Sequence, residues 1–172
     1  ARFGHASVPV LYRFLLPLGY YTPIGRRYAY EERYPFGVKN QRLREWIARE
    51  MREKSTSIAG AALLPLAAIH EAAKLIRQVK RALPQITTPA IVMHAIEDDV
   101  ASVRSAEFVE SRIASTFKRS VRLTDSYHML TLDNDREQVA NETSGFFRQA
   151  ITRQADAPQP VVLEHAAVGS AR

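Results

Sequence analysis

The sequence predicts an α/β protein built on a strand–helix–strand–helix unit with parallel strands. Three observations predict it. Ala90-Ile-Val-Met-His-Ala95 is a nearly continuous apolar run, the pattern of a strand covered on both faces of a parallel sheet. A helical pattern follows from about Ser102 to Ala114, with Val103, Ala106, Phe108, Val109 and Ile113 as its core side. A second short strand, Val121-Arg-Leu-Thr124, then leads to a helix from about Arg136 to Thr152 with Val139, Phe146, Phe147 and Ile151 inward. Alternation of this kind makes a βαβ unit.

The segment ahead of this unit has a different character. Residues 1–38 do not read as regular structure, because Pro9, Pro17, Gly19, Pro23, Gly25, Pro35 and Gly37 punctuate them closely. Leu11, Phe14, Leu15, Leu16, Tyr20, Tyr21, Tyr28, Tyr30, Tyr34 and Phe36 lie between, so the loop reads either as a cover packed on a larger body or as the lining of an apolar site. Asn40 is a suitable helix N-cap, and Leu43, Trp46, Ile47 and Met51 make one apolar face of a helix from about Gln41 to Lys54. Ser55-Thr56-Ser57 breaks it. Pro65 can occupy the first turn of a second helix, whose buried stripe reads as Ile69, Ala72, Ala73, Ile76, Val79 and Leu83. His70, Lys74, Arg77, Lys80 and Arg81 are expected to face water. Pro84 ends this helix.

Composition narrows the function classes. The chain has 172 residues, 46% hydrophobic and 24% charged, which suits one soluble globular domain. It contains no cysteine, so disulfides and thiolate metal sites are excluded within it. The net charge is +6, yet the basic residues are scattered over helix faces and no nucleic-acid-binding pattern accompanies them, so no nucleic-acid partner is expected. The longest apolar run, around Ile58 to Ile69, is broken by Gly60 and Pro65 and does not reach the length of a membrane span. No signal-peptide pattern opens the chain, which points to the cytoplasm.

Chemistry concentrates at two strand ends. The first strand runs into Glu97-Asp98-Asp99, and the second into Asp125-Ser-Tyr-His128, ahead of an acidic helix start from Asp133 to Glu137. In an open parallel sheet the carboxyl ends of neighbouring strands face one crevice, so Asp98 and His128 are brought to the same side. A histidine near its ordinary pKa can take a proton from a hydroxyl, provided a carboxylate fixes its tautomer and steadies the imidazolium. On spacing alone, Asp98 and Asp99 can equally begin the next helix while His128 bonds its own loop.

Residues from about Leu64 to Phe147 resemble the C-terminal part of an α/β-hydrolase of the carboxylesterase and monoacylglycerol-lipase branch. Leu83-Pro-Gln-Ile-Thr-Thr-Pro89 is similar to the approach to the family's seventh strand. His94-Ala-Ile-Glu-Asp98-Asp-Val100 resembles its His-Gly-x-x-Asp-x-Val stretch, with Ala95 where glycine is common. Ser126-Tyr-His128-Met-Leu-Thr-Leu-Asp133 resembles the segment around the triad histidine. The resemblance implies that Asp98, rather than Asp99, is the triad acid and His128 the base. It implies a cap over residues 1–83 and the last two core strands with their helices over 84–154. It also implies a small apolar ester as substrate and no metal or organic cofactor. Residues 155–172, with two prolines and small residues, read as a flexible tail.

No Gly-x-Ser-x-Gly nucleophile elbow occurs in the sequence. Ser7 lacks the second glycine, and Ser102, Ser105 and Ser126 lack the strand–turn–helix context. Family order places the elbow, the oxyanion donors and the first strands upstream of residue 1, supplied by a missing N-terminal half or a second chain. A rival expectation is a non-catalytic binding or assembly module. Thioesterases, peptidases and perhydrolases share the fold.

Overall fold

The computed structural model describes residues 16–32 and 34–155. Ser7, the apolar loop residues Leu11, Phe14 and Leu15, and all but Ala155 of the tail lie outside the described residues. Two parallel strands, β5 (Ala90–Ala95) and β6 (Lys118–Leu123), form the sheet that positions the site. They pair in register from Ala90 opposite Lys118 to Ala95 opposite Leu123, so both strands end on one rung. Helix α4 (Val103–Arg112) crosses between them and helix α5 (Arg136–Ala155) follows. Ser102 caps α4 by accepting from the N–H of Arg104.

Burial around this pair follows the apolar pattern in part. Ala95, Leu123, Ala106, Ile113, Val139 and Phe146 are buried, and Phe146 stacks on Phe117 at 5.0 Å. Arginines on β6 tie it to both helices. The Arg122 guanidinium meets the Glu110 carboxylate of α4 at 2.8 Å, and that of Arg119 meets Glu142 of α5 at 3.0 Å. Phe147 and Ile151, expected inward, are instead 58% and 67% exposed. The seven-residue step from Val139 that turns Phe146 inward leaves Phe147 about a hundred degrees round the helix, and no period alone decides which of two adjacent aromatics turns in.

The described residues before 84 hold more regular structure than expected. Residues 16–20 are helical, and a short helix α1 (Pro23–Arg27) and strand β1 (Ala29–Glu31) follow within the stretch read as irregular. Thr22 explains the turn between the first two. Its hydroxyl donates to the Gly19 carbonyl at 2.9 Å and accepts from the Gly25 N–H at 3.1 Å. A side chain at Gly25 would run into the backbone of Gly19, so this close approach needs glycine. β1 pairs antiparallel with β4 (Leu63–Pro65), and β2 (Thr56–Ser57) makes a tight hairpin with β3 (Gly60–Ala61).

Helix α2 (Gln41–Lys54) has the expected bounds. Asn40 accepts from the N–H of Leu43 at its start, and Ser55 closes it in the left-handed conformation. Val38, Ile47 and Met51 form a buried cluster against which Phe36, Leu43 and Met129 pack. Helix α3 (Leu66–Ala82) departs from expectation in rotation. His70 is buried and stacks on Tyr20 at 4.4 Å, whereas Leu75, Ile76 and Val79 are 59%, 53% and 45% exposed. The covered face is the one that meets the aromatic rings of residues 20 and 21, and ring stacking draws the imidazole in ahead of the aliphatic stripe.

Candidate active site

β5 ends at Ala95, and the ladder continues one step further through the Ile96 N–H, which donates to the Leu123 carbonyl at 2.9 Å. Asp98 follows three residues after Ala95. Its carboxylate is 5% exposed, and Oδ1 accepts from the N–H groups of Val100 at 2.8 Å and Ala101 at 2.7 Å. Those two bonds fix the carboxylate plane and turn Oδ2 toward His128. The His128 Nδ1 lies 3.0 Å from Asp98 Oδ2. With Nδ1–H donating, Nε2 is the basic nitrogen, on an imidazole that is 44% exposed. Asp99 makes no such bond with His128, and its Oδ1 is buried without a hydrogen-bond partner.

The electrostatics favour a charged pair. Burial pushes the Asp98 carboxyl up, but the hydrogen bonds from His128, Ala101 and Val100 together outweigh it and leave the group below its ordinary value. The Asp98 hydrogen bond holds the His128 imidazolium above the ordinary histidine value, against the opposing effect of burial, and the nearby Asp98, Asp99 and Glu32 charges add to it. Glu32, just past β1, is raised by burial and by Asp99 and lowered by His128, which puts this carboxyl within the field of the same site.

The surroundings hold groups that spacing did not reveal. His94 is buried, and its Nδ1 lies 2.7 Å from the Ala95 carbonyl; its Nε2 is 3.6 Å from Asp98 Oδ2, beyond hydrogen-bond range. Lys39 reaches across both loops, to Glu97 at 3.0 Å and Asp125 at 3.3 Å. Its ammonium is held above the ordinary lysine value, chiefly by the Glu97 hydrogen bond. Ser126 is fully buried, and its hydroxyl accepts from the Asp135 N–H at 3.0 Å, so it secures the start of α5. Ala95 takes ordinary strand backbone, so the methyl group where the family often has glycine is accommodated. Among the described residues no group of three or more metal-ligating side chains is arranged to hold an ion.

No family model matches the sequence. The chain is 36% identical over 83 residues to a thermostable monoacylglycerol lipase of Bacillus sp. (strain H-257), covering 48% of this chain and 33% of that one. A solved structure from work on LipS and LipT, two metagenome-derived lipolytic enzymes, superposes with a TM-score of 0.52 at 28% identity, over 56% of this chain and 39% of the other. The chain holds the C-terminal part of an α/β-hydrolase fold. A soluble variant of monoglyceride lipase from Saccharomyces cerevisiae, at 15% identity, shares this fold with a TM-score of 0.58 over 82% of this chain and 51% of its own. The chain thus spans about a third of the curated relative it matches. Within the α/β-hydrolase fold, β5 and β6 are the parallel strands that carry Asp98 and His128 at their carboxyl ends. No helix among the described residues is long and apolar enough to cross a membrane.

Proposed function

We propose that this chain is the acid–base part of a serine hydrolase that cleaves carboxylic esters with apolar acyl groups. The observation that carries the reading is the 3.0 Å contact from His128 Nδ1 to an Asp98 carboxylate whose other oxygen is fixed by two backbone N–H groups. In this reading a serine outside the 172 residues is the nucleophile. Its proton passes to His128 Nε2 as its oxygen bonds the ester carbonyl carbon. The imidazolium, steadied by Asp98, returns the proton to the alkoxide oxygen as the carbon–oxygen bond breaks. Water then attacks the acyl-enzyme by the same route, and the acid product leaves. Residues 1–83 act as the cap and 84–154 as the core segment, and the packing of Met129 on the Val38, Ile47 and Met51 cluster supports a close junction between them.

The test is made on protein from the native source. Its intact mass is measured with and without a fluorophosphonate that labels activated serines, and esters, thioesters and peptides are compared as substrates. A mass well above 19.4 kDa with one adduct, and preference for apolar esters, is the expected outcome. A mass near 19.4 kDa with no adduct overturns it and favours a non-catalytic module, a reading supported by the lack of an elbow motif.

A further inference from the structure

We propose that Asp133 is a positioning residue for His128, and that it makes the start of α2 part of the site. Asp133 is fully buried, and among the described residues no Lys, Arg or His side chain forms an ion pair with it. Its carboxylate is satisfied by four backbone N–H groups instead. Oδ1 accepts from Asn40 at 2.8 Å and Asn134 at 3.0 Å, and Oδ2 from Lys39 at 2.6 Å and Tyr127 at 2.9 Å. An acidic side chain beside a helix start ordinarily serves that helix alone. This one spends three of its four bonds elsewhere. One fastens the residue immediately before His128, and two fasten residues more than ninety positions away that lead directly into α2.

The strap from Gly37 to Asn40 closes on the histidine loop at further points. The Met129 N–H donates to the Gly37 carbonyl at 2.8 Å, and Asn40 Nδ2 donates to Asn134 Oδ1 at 2.7 Å. Gly37 has φ +70, and a Cβ there would stand 3.1 Å from the His128 Cβ and 3.2 Å from the Met129 Cγ. Backbone on both sides of His128 is therefore pinned, by Asp133 before it and by Gly37 after it. The imidazole is left with little freedom but rotation about its own side-chain bonds, and the Asp98 bond fixes that rotation. The carboxylate is needed because four donors converge on two oxygens. An amide in its place offers one oxygen and sets its NH2 against two of the four N–H groups.

The catalytic meaning of this clamp rests on the acid–base reading of His128, but its geometry can be measured without turnover. Long-range 1H–15N spectra of the 15N-histidine-labelled chain report the tautomer and titration midpoint of each imidazole, and His128→Ala identifies the His128 signals. In the unchanged chain the neutral His128 is expected in the Nδ1–H form. In Asp133→Asn that signature is lost to a mixture of tautomers and the midpoint falls toward 6.5, while the His94 signals stay. Gly37→Ala, with Asp133 intact, is expected to disturb the same signals by crowding His128. Phe146→Leu, a core change away from the strap, is expected to leave them unmoved. A folded Asp133→Asn chain with unchanged His128 signals overturns the proposal. If that variant does not fold, unchanged signals in Gly37→Ala overturn it. Failure of fluorophosphonate labelling would instead count against the serine-hydrolase reading and leave these signals to decide the clamp.

Discussion

The loops at the ends of β5 and β6 and the helix α3 are organised by opposite means. At the strand ends order is polar: Asp98 and Asp133 are buried carboxylates, and each oxygen of both has a named donor. Along α3 order is apolar and incomplete, for Leu75, Ile76 and Val79 stand exposed while His70 is buried. Directional bonds determine a geometry at the atoms they join, however far apart those lie in the sequence. An aliphatic stripe determines only that some surface must meet it, and it leaves open which one.

This contrast can be broken most severely at the site. In the serine hydrolase proposed above, His128→Ala is expected to lower kcat by about 10⁴-fold or more, and Asp98→Asn by a comparable factor, since loss of either removes the oriented base. Steady-state kinetics on an apolar ester checks this, and unchanged kcat would refute the assignment. The pH profile sharpens it. The base must be neutral, so kcat/KM is expected to rise through a value above 6.5, and in Asp98→Asn the residual activity should rise at lower pH because the main cause of the elevation is gone.

Stability is expected to run the other way. The raised His128 contributes fully below 6.5, and its contribution is lost as pH rises through the folded value. The lowered Asp98 contributes above 3.8 and is lost as pH falls through its folded value. The pair thus favours the folded state most between these limits, and urea titrations across pH should show that share vanish in His128→Ala. Ile47→Ala, in the buried cluster under the histidine loop, should cost about 2–5 kcal/mol. Ile76→Ala, on the exposed stripe of α3, should cost well under about 1 kcal/mol in the same denaturation experiment. Equal losses would mean that the stripe is covered in solution.

What was legible in the sequence is what acts locally along the chain. The bounds of α2 and β5 were readable because Asn40, Ser55 and the run from Ala90 to Ala95 act locally. Strand order in a parallel sheet brought the acidic loop and the histidine-bearing loop to one side, and only the family resemblance singled out Asp98 over Asp99 as the partner of His128. The burial of His70 was not readable, since it depends on Tyr20 fifty residues away rather than on the helix period. Nor was the junction of Lys39 and Asn40 with Asp133, where an aspartate that looks like a helix start gathers donors from distant backbone. The short elements β1 to β4 escaped because two- and three-residue strands have no periodicity to detect.

Because Ala95 and Leu123 share a rung, the chain itself measures the site. Asp98 is three residues beyond that rung and His128 five. Removing one residue from the 96–97 turn would draw the carboxylate back by up to about 3.3–3.6 Å, against a bond to the imidazole of 3.0 Å. Side chains at 96 and 97 can therefore be exchanged more freely than residues can be added there or deleted. A library that varies identity at 96 and 97 should retain the pair where one that varies length should not.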